Sequence, residues 1–273
     1  MIYVTKPYLP DIDKFYEKIK QIWESNHLTN DGPLNKVLEK KLANYLDIED
    51  LCLINNCTNG LLMCLNEFEP DDEIITTPFS FIATTSSIVW SKLKPVFCDI
   101  DKDFLFIDVD LIRRLITPKT KAIMLAHSLG NPFNLDVVTA LCKKYNLWLV
   151  EDTCDALGAK YNGQTVGTFG DIATLSFYPA HHITMGEGGA VFTNNDELKV
   201  IAESFRDWGR DCYCPPGKDN TCNKRFCWKL GELPEGYDHK YTYSHAGYNL
   251  KITDMQAACA LAQMDRLEGF IEQ

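Results

Sequence analysis

The stretch Thr174-Leu-Ser-Phe-Tyr-Pro-Ala-His-His-Ile-Thr-Met-Gly-Glu-Gly-Gly-Ala190 lies where two apolar runs meet a polar connection. Residues 172–177 read as one strand and 189–193 as another, with Pro and Gly marking the turn between them. The centre of the connection is the pair His181-His182. Imidazole moves protons near neutral pH. No lysine occurs between Lys160 and Lys199.

Outward from this stretch the chain alternates. Residues 11–25 and 33–46 read as helices, the second with Leu34, Val37, Leu38, Leu42 and Tyr45 at helical spacing. Strands are expected at 51–54, 73–77, 95–99, 121–126 and 147–150, the last running into Glu151-Asp152. Helices are expected at 61–68, 82–91, within 105–115, at 136–145 and at 196–204. Continuous apolar strands alternating with helices predict an α/β fold, a mainly parallel sheet flanked by helices on both faces. Ligands of such sheets bind at the carboxyl ends of strands. Polar clusters follow the strands at 55–59, 76–80, 127–131 and 151–155. Residues 206–240 are rich in Cys, Gly, Pro and charge and read as an irregular insertion that needs something to hold it. Residues 252–270 read as one helix.

Composition narrows the function classes. With 273 residues, 45% hydrophobic, the chain can bury a substantial core. A net charge of −11 disfavours non-specific binding to nucleic acid or anionic membrane. No apolar run approaches the ~20 residues of a membrane helix. The N-terminus shows no secretory h-region, and a cytoplasmic location is expected. In that compartment eleven cysteines are not read as a disulfide framework. Cys52, Cys64, Cys142 and Cys259 read as buried small hydrophobes.

Several motifs occur in a telling order. Gly130-Asn131-Pro132 follows His127, Glu151-Asp152 leads to Asp155-Ala156 and Gly158-Ala159, and Gly247-Tyr248-Asn249 precedes Asp254 and Gln256-Ala257-Ala258. Together with the 174–190 stretch they resemble the DegT/DnrJ/EryC1/StrS sugar aminotransferase/dehydrase family over nearly the whole chain. The family's cofactor lysine is replaced here by His181. Within the family the chain resembles the iron–sulfur CDP-4-keto-6-deoxyglucose 3-dehydrase branch of lipopolysaccharide biosynthesis. The resemblance implies the large domain of a fold-type I transferase dependent on pyridoxal phosphate (PLP). It divides the chain into an N-terminal segment (1–30), a PLP- or pyridoxamine phosphate (PMP)-binding domain (31–205), a Cys-rich insertion (206–240) and a helix (241–273). That helix leads towards a C-terminal small domain that is expected in the family and missing here.

Site residues are carried over position by position. Asp152 is expected at the pyridine nitrogen, keeping the ring protonated as an electron sink. Cys57, Thr58 and Asn59 fall where the family binds the cofactor phosphate, at a helix N-terminus. A plain N-capped helix is the alternative there, and Cys57 stands where the family usually has Gly. Phe81 is expected to stack on the pyridine, with a core Phe as the alternative. Ser176 resembles the phosphate-binding Ser, and Asn249 is expected to reach the phosphate in a partner subunit of a homodimer. His181 is the expected proton-transferring base, with a satisfied structural histidine as the alternative reading; His182 is read as a supporting residue.

The cysteines add a second signal, C-x57-C-x-C-x7-C from Cys154, Cys212, Cys214 and Cys222. Four thiolates suit a 2Fe–2S cluster, and the resemblance implies one on this spacing. Zinc and free thiols remain chemical alternatives. Cys227 is left outside the set. The implied activity is a PMP-dependent dehydrase that removes the 3-hydroxyl of a nucleotide-activated, CDP-linked 4-keto-6-deoxyhexose. Electrons are expected from a flavin/iron–sulfur reductase, in 3,6-dideoxysugar synthesis for O-antigen. The alternatives are a PLP-dependent sugar-nucleotide aminotransferase, which needs the missing lysine, a cluster-free GDP-sugar 3-dehydratase, and a truncated non-catalytic fragment.

Overall fold

A computed structural model describes residues 2, 6–49, 51–214 and 220–272. In chain order the elements begin with α1 (Ile12–Ser25), α2 (Pro33–Leu46), β1 (Leu51–Ile54), α3 (Cys57–Leu65), β2 (Glu73–Thr76), α4 (Ile82–Trp90) and β3 (Lys94–Phe97). There follow α5 (Val109–Leu115), β4 (Thr120–Ala126), α6 (Leu135–Tyr145), β5 (Trp148–Asp152), β6 (Lys160–Tyr161), β7 (Gln164–Thr165) and β8 (Ile172–Ser176). The last are β9 (Gly189–Phe192), α7 (Asp196–Arg206), α8 (Asp254–Leu261) and α9 (Leu267–Ile271).

Seven strands form one sheet in the order β1-β9-β8-β5-β4-β2-β3. The five from β8 to β3 run parallel, as the alternation predicts. The other edge departs from it: β9 pairs antiparallel with both β8 and β1. The 174–190 stretch is the reason. It joins β8 to β9 through residues 177–188 without a helix, so no crossover carries the chain back to start a parallel neighbour. The strands β1, β2, β8 and β9 are buried along their whole length, and β1 and β9 read as unbroken apolar runs for that reason.

Core side chains pack on both faces of this sheet. On one, Leu38, Leu42 and Leu46 of α2 meet Leu53, Leu175 and Ala258. On the other face and at the far edge, Leu61, Ile88, Met124 and Val150 form one cluster and Ile123, Phe133 and Leu149 another. α1 shows only Ile22 fully buried, with Phe15 and Ile19 packed against the first cluster.

Three local expectations need correction. α3 begins at Cys57, four residues before the expected start, because Asn56 caps it: its side chain accepts the Asn59 N–H at 2.9 Å. The helix expected over 252–270 is broken into α8, a 3-10 turn at Met264–Arg266, and α9. Gln263 makes the break by turning its amide inward, donating to the carbonyls of Thr184 at 2.7 Å and Cys259 at 2.9 Å. The two-residue hairpin β6–β7 has too few residues to show a strand period. Of the expected insertion, residues 215–219 lie outside the described residues, as do 1, 3–5 and 273 of the terminal segments. The described part of 206–240 holds no strand or helix beyond the end of α7 and the start of a 3-10 turn at His239–Tyr241.

Candidate active site

β5 ends in Glu151-Asp152, and the strand period sends these two carboxylates to opposite faces. Both are buried. Glu151 is structural. It accepts N–H groups from Gly167 (2.8 Å), Phe169 (2.9 Å) and Gly170 (2.7 Å), and stands 3.0 Å from His127 Nε2. This fixes the loop that feeds β8.

Asp152 faces the other way, towards α3 and α4. Its Oδ2 accepts the Thr84 hydroxyl at 3.2 Å and its Oδ1 the Cys154 N–H at 3.2 Å. Burial pushes its pKa up, and the donors from Cys154 and Thr84 pull it back only in part. A buried carboxylate so placed gains from a cationic partner, which a protonated pyridine nitrogen supplies.

Of the other expected cofactor residues, Cys57 places its sulfur within 4.8 Å of an Asp152 carboxylate oxygen. Cys57, Thr58 and Asn59 form the first turn of α3, whose N–H groups suit an anion. Gly189 lets the turn approach, since a Cβ there would lie 2.7 Å from the Cys57 nitrogen. Phe81 precedes α4 and is 78% exposed, so the core-Phe alternative does not apply. Ser176 ends β8, buried, its Oγ accepting the Tyr178 N–H at 3.3 Å. Asn249 is exposed and bridges to Asp207. These residues fit a phosphorylated pyridine at the carboxyl ends of the strands. Two surface clefts, one at Phe68 and Trp148 and one at Phe104 and Tyr161, include none of them.

His181 Nδ1 lies 3.1 Å from Asp155 Oδ1, with the imidazole largely covered and the carboxyl half exposed. His181 beside it holds the Asp155 carboxyl below the usual carboxylate range, against the opposing effect of burial. A carboxylate only accepts, so Nδ1 carries the proton in this contact and a neutral His181 has Nε2 free to accept one. Burial, and then His181, lower the pKa of His182. The sequence reading missed Asp155 as the orienting partner of His181; its only signal was its place in the Glu151–Ala159 motif. Thr84, a helix residue with no motif around it, was missed as well.

The expected metal thiols fall into two groups. Cys154 Sγ stands 2.9 Å from Cys57 Sγ, and these two with Asp152 place their ligand atoms within 4.8 Å of one another. Cys57 first, then burial, raise the Cys154 pKa. Cys212, Cys214 and Cys222 interact among themselves; Cys214 is lowered to about 7, by Thr221 first and by Cys222 and Cys212 further on. A lowered thiol is primed for metal binding. Cys222 Sγ also lies 3.9 Å from Nε2 of the buried His239. Cys227 is exposed.

With this geometry in place, comparison with known proteins is informative. The sequence profile of the DegT/DnrJ/EryC1/StrS aminotransferase family matches residues 11–273. The chain belongs to that family. The lipopolysaccharide biosynthesis protein RfbH of Salmonella typhimurium is 56% identical over 252 residues, covering 89% of this chain and 58% of the relative. A dTDP-4-dehydro-2,6-dideoxy-D-glucose 3-dehydratase of Saccharopolyspora spinosa is 48% identical over 242 residues, 85% of this chain and 52% of the relative. The chain thus spans little more than half the length of these relatives. Among solved structures, Escherichia coli GDP-4-keto-6-deoxy-D-mannose-3-dehydratase with bound hydrated PLP superposes with a TM-score of 0.82 at 26% identity, covering 99% of this chain and 70% of that one. Helicobacter pylori PseC, an aminotransferase involved in the biosynthesis of pseudoaminic acid, gives a TM-score of 0.81 at 29% identity, covering 98% of this chain and 66% of that one. Family membership accounts for the mainly parallel sheet flanked by helices. No helix among the described residues is long and apolar enough to cross a membrane.

Proposed function

We propose that this chain carries the cofactor half of a PMP-dependent sugar-nucleotide 3-dehydrase of O-antigen dideoxysugar synthesis. The observation that carries the reading is His181, paired with Asp155 at 3.1 Å, in a segment without lysine. The similarity to RfbH and to a 3-dehydratase supports it.

PMP, when bound, supplies an amino group for the sugar's 4-keto carbon and a ring that takes up electron density. The chain's residues do the rest. The first turn of α3 and Ser176 bind the phosphate. Asp152 keeps the ring nitrogen protonated. Phe81 covers the ring face, and Asn249 reaches the phosphate of a partner subunit in a homodimer. His181 Nε2, held in that tautomer by Asp155, would move a proton at the cofactor's methylene carbon. Removal of the sugar's 3-hydroxyl would be reductive, with a flavin-containing reductase as the proposed electron donor. A 2Fe–2S cluster supplies one-electron chemistry, and Cys154, Cys212, Cys214 and Cys222 are the thiols that would hold it. The nucleotide is proposed to be CDP.

The test is an absorption spectrum of anaerobically purified protein with added PMP, alongside metal analysis. Iron–sulfur bands together with retained PMP are expected. One zinc per chain without iron, or no retention of PMP, contradicts the reading.

A further inference from the structure

Cys57 is the thiol that the activity does not explain. It sits at the first position of α3, buried, while Cys154 sits in the turn after β5 and is partly exposed. Their sulfurs are 2.9 Å apart, within about 1 Å of the ~2.05 Å of a disulfide bond. Both ends are held. The Cys154 N–H is fixed on Asp152 Oδ1 at 3.2 Å, and the α3 terminus is packed on Gly189, where no Cβ fits. Two thiols from separate elements, pressed together by a rigid frame, need almost no chain movement to bond.

We propose that Cys57 and Cys154 are a redox modification site, forming a reversible disulfide under a peroxide-class oxidant. One sulfur attacks the peroxide, becoming a sulfenic acid and releasing water; the second sulfur displaces the hydroxyl as a second water. Two thiols lose two hydrogens, and the peroxide is reduced. The bond ties the phosphate-binding turn to the Asp152 loop and withdraws Cys154 from metal binding. That last consequence rests on Cys154 being a cluster thiol; the bond itself does not.

The test oxidises the purified chain with hydrogen peroxide, alkylates free thiols, digests without reductant and maps cysteines by mass spectrometry. A linked pair of peptides carrying Cys57 and Cys154, lighter by two hydrogens and separated by dithiothreitol, is expected. Cys57→Ser and Cys57→Ala should each lose the link and leave Cys154 alkylated. In parallel, iron uptake by the oxidised wild type should fall several-fold and return after reduction. Alkylation of both cysteines after oxidation overturns the proposal, as does a link from Cys154 to Cys212, Cys214 or Cys222. A Cys57–Cys154 link with undiminished iron uptake upholds the disulfide and counts against Cys154 as a cluster ligand.

Discussion

Asp155 and His181, from the turn after β5 and the connection after β8, meet at 3.1 Å through Oδ1 and Nδ1. This contact orients the imidazole with Nδ1 towards the carboxylate, and the proposed base is then Nε2. His181→Asn should lower exchange of the cofactor's methylene hydrogen about 10²–10⁴-fold while cofactor binding persists. Deuterium wash-in to bound PMP measures it, and wild-type exchange in the variant would exclude the role.

Asp155→Asn keeps the shape and loses the acceptor charge. The exchange rate should fall with little change in PMP affinity. The Asp155 carboxyl itself gives a pH readout. Its folded pKa lies below the unfolded value of ~3.9, so the pair's contribution is complete above that value and is lost as pH falls through the folded pKa. Carboxyl NMR should show the depressed titration in wild type and a rise towards ~3.9 in His181→Asn. An unmoved titration would mean that the two groups do not interact in solution.

Replacing His181 by lysine should let PLP be trapped covalently, since Asp152, Ser176 and the α3 turn are the residues proposed to hold the cofactor. Borohydride reduction of His181→Lys loaded with PLP should leave a pyridoxyl group on residue 181. None at saturating PLP would mean that the backbone there points the side chain elsewhere.

Ser substitutions test the thiols one at a time. Replacing Cys154, Cys212, Cys214 or Cys222 should each lower iron content and open residues 206–240 to protease, because this segment has little apolar packing of its own. Cys227→Ser should do neither. Equal effects from all five would show that the changes disturb the loop and not a metal centre.

Glu151 carries a stability prediction. Glu151→Ala leaves one buried and two half-buried N–H groups and the buried His127 without their acceptor, a loss of about 3–5 kcal/mol. Chemical denaturation should read it; a loss below about 1 kcal/mol would mean that water replaces the carboxylate readily.

What the sequence made legible follows from periodicity. Buried strands such as β1 and β9 stood out as apolar runs, and motif residues such as Asp152 and His181 as breaks in them. Contacts between distant segments did not. Thr84 with Asp152, Asp155 with His181, and Cys57 with Cys154 join residues that only the folded sheet brings together. The antiparallel edge was hidden for a related reason, because a strand's apolar pattern carries no direction. The break at Gln263 was missed because a single inward-turned amide overrides an otherwise helical spacing.

The central claim, a cofactor site that works without a lysine anchor, is tested most directly by borohydride reduction of the wild-type chain saturated with PLP. Bound PLP is measured by circular dichroism before reduction, and mass spectrometry searches for pyridoxyl adducts afterwards. The account predicts bound PLP and no covalent adduct. A reduced pyridoxyl-lysine, or no PLP bound at saturation, would contradict it.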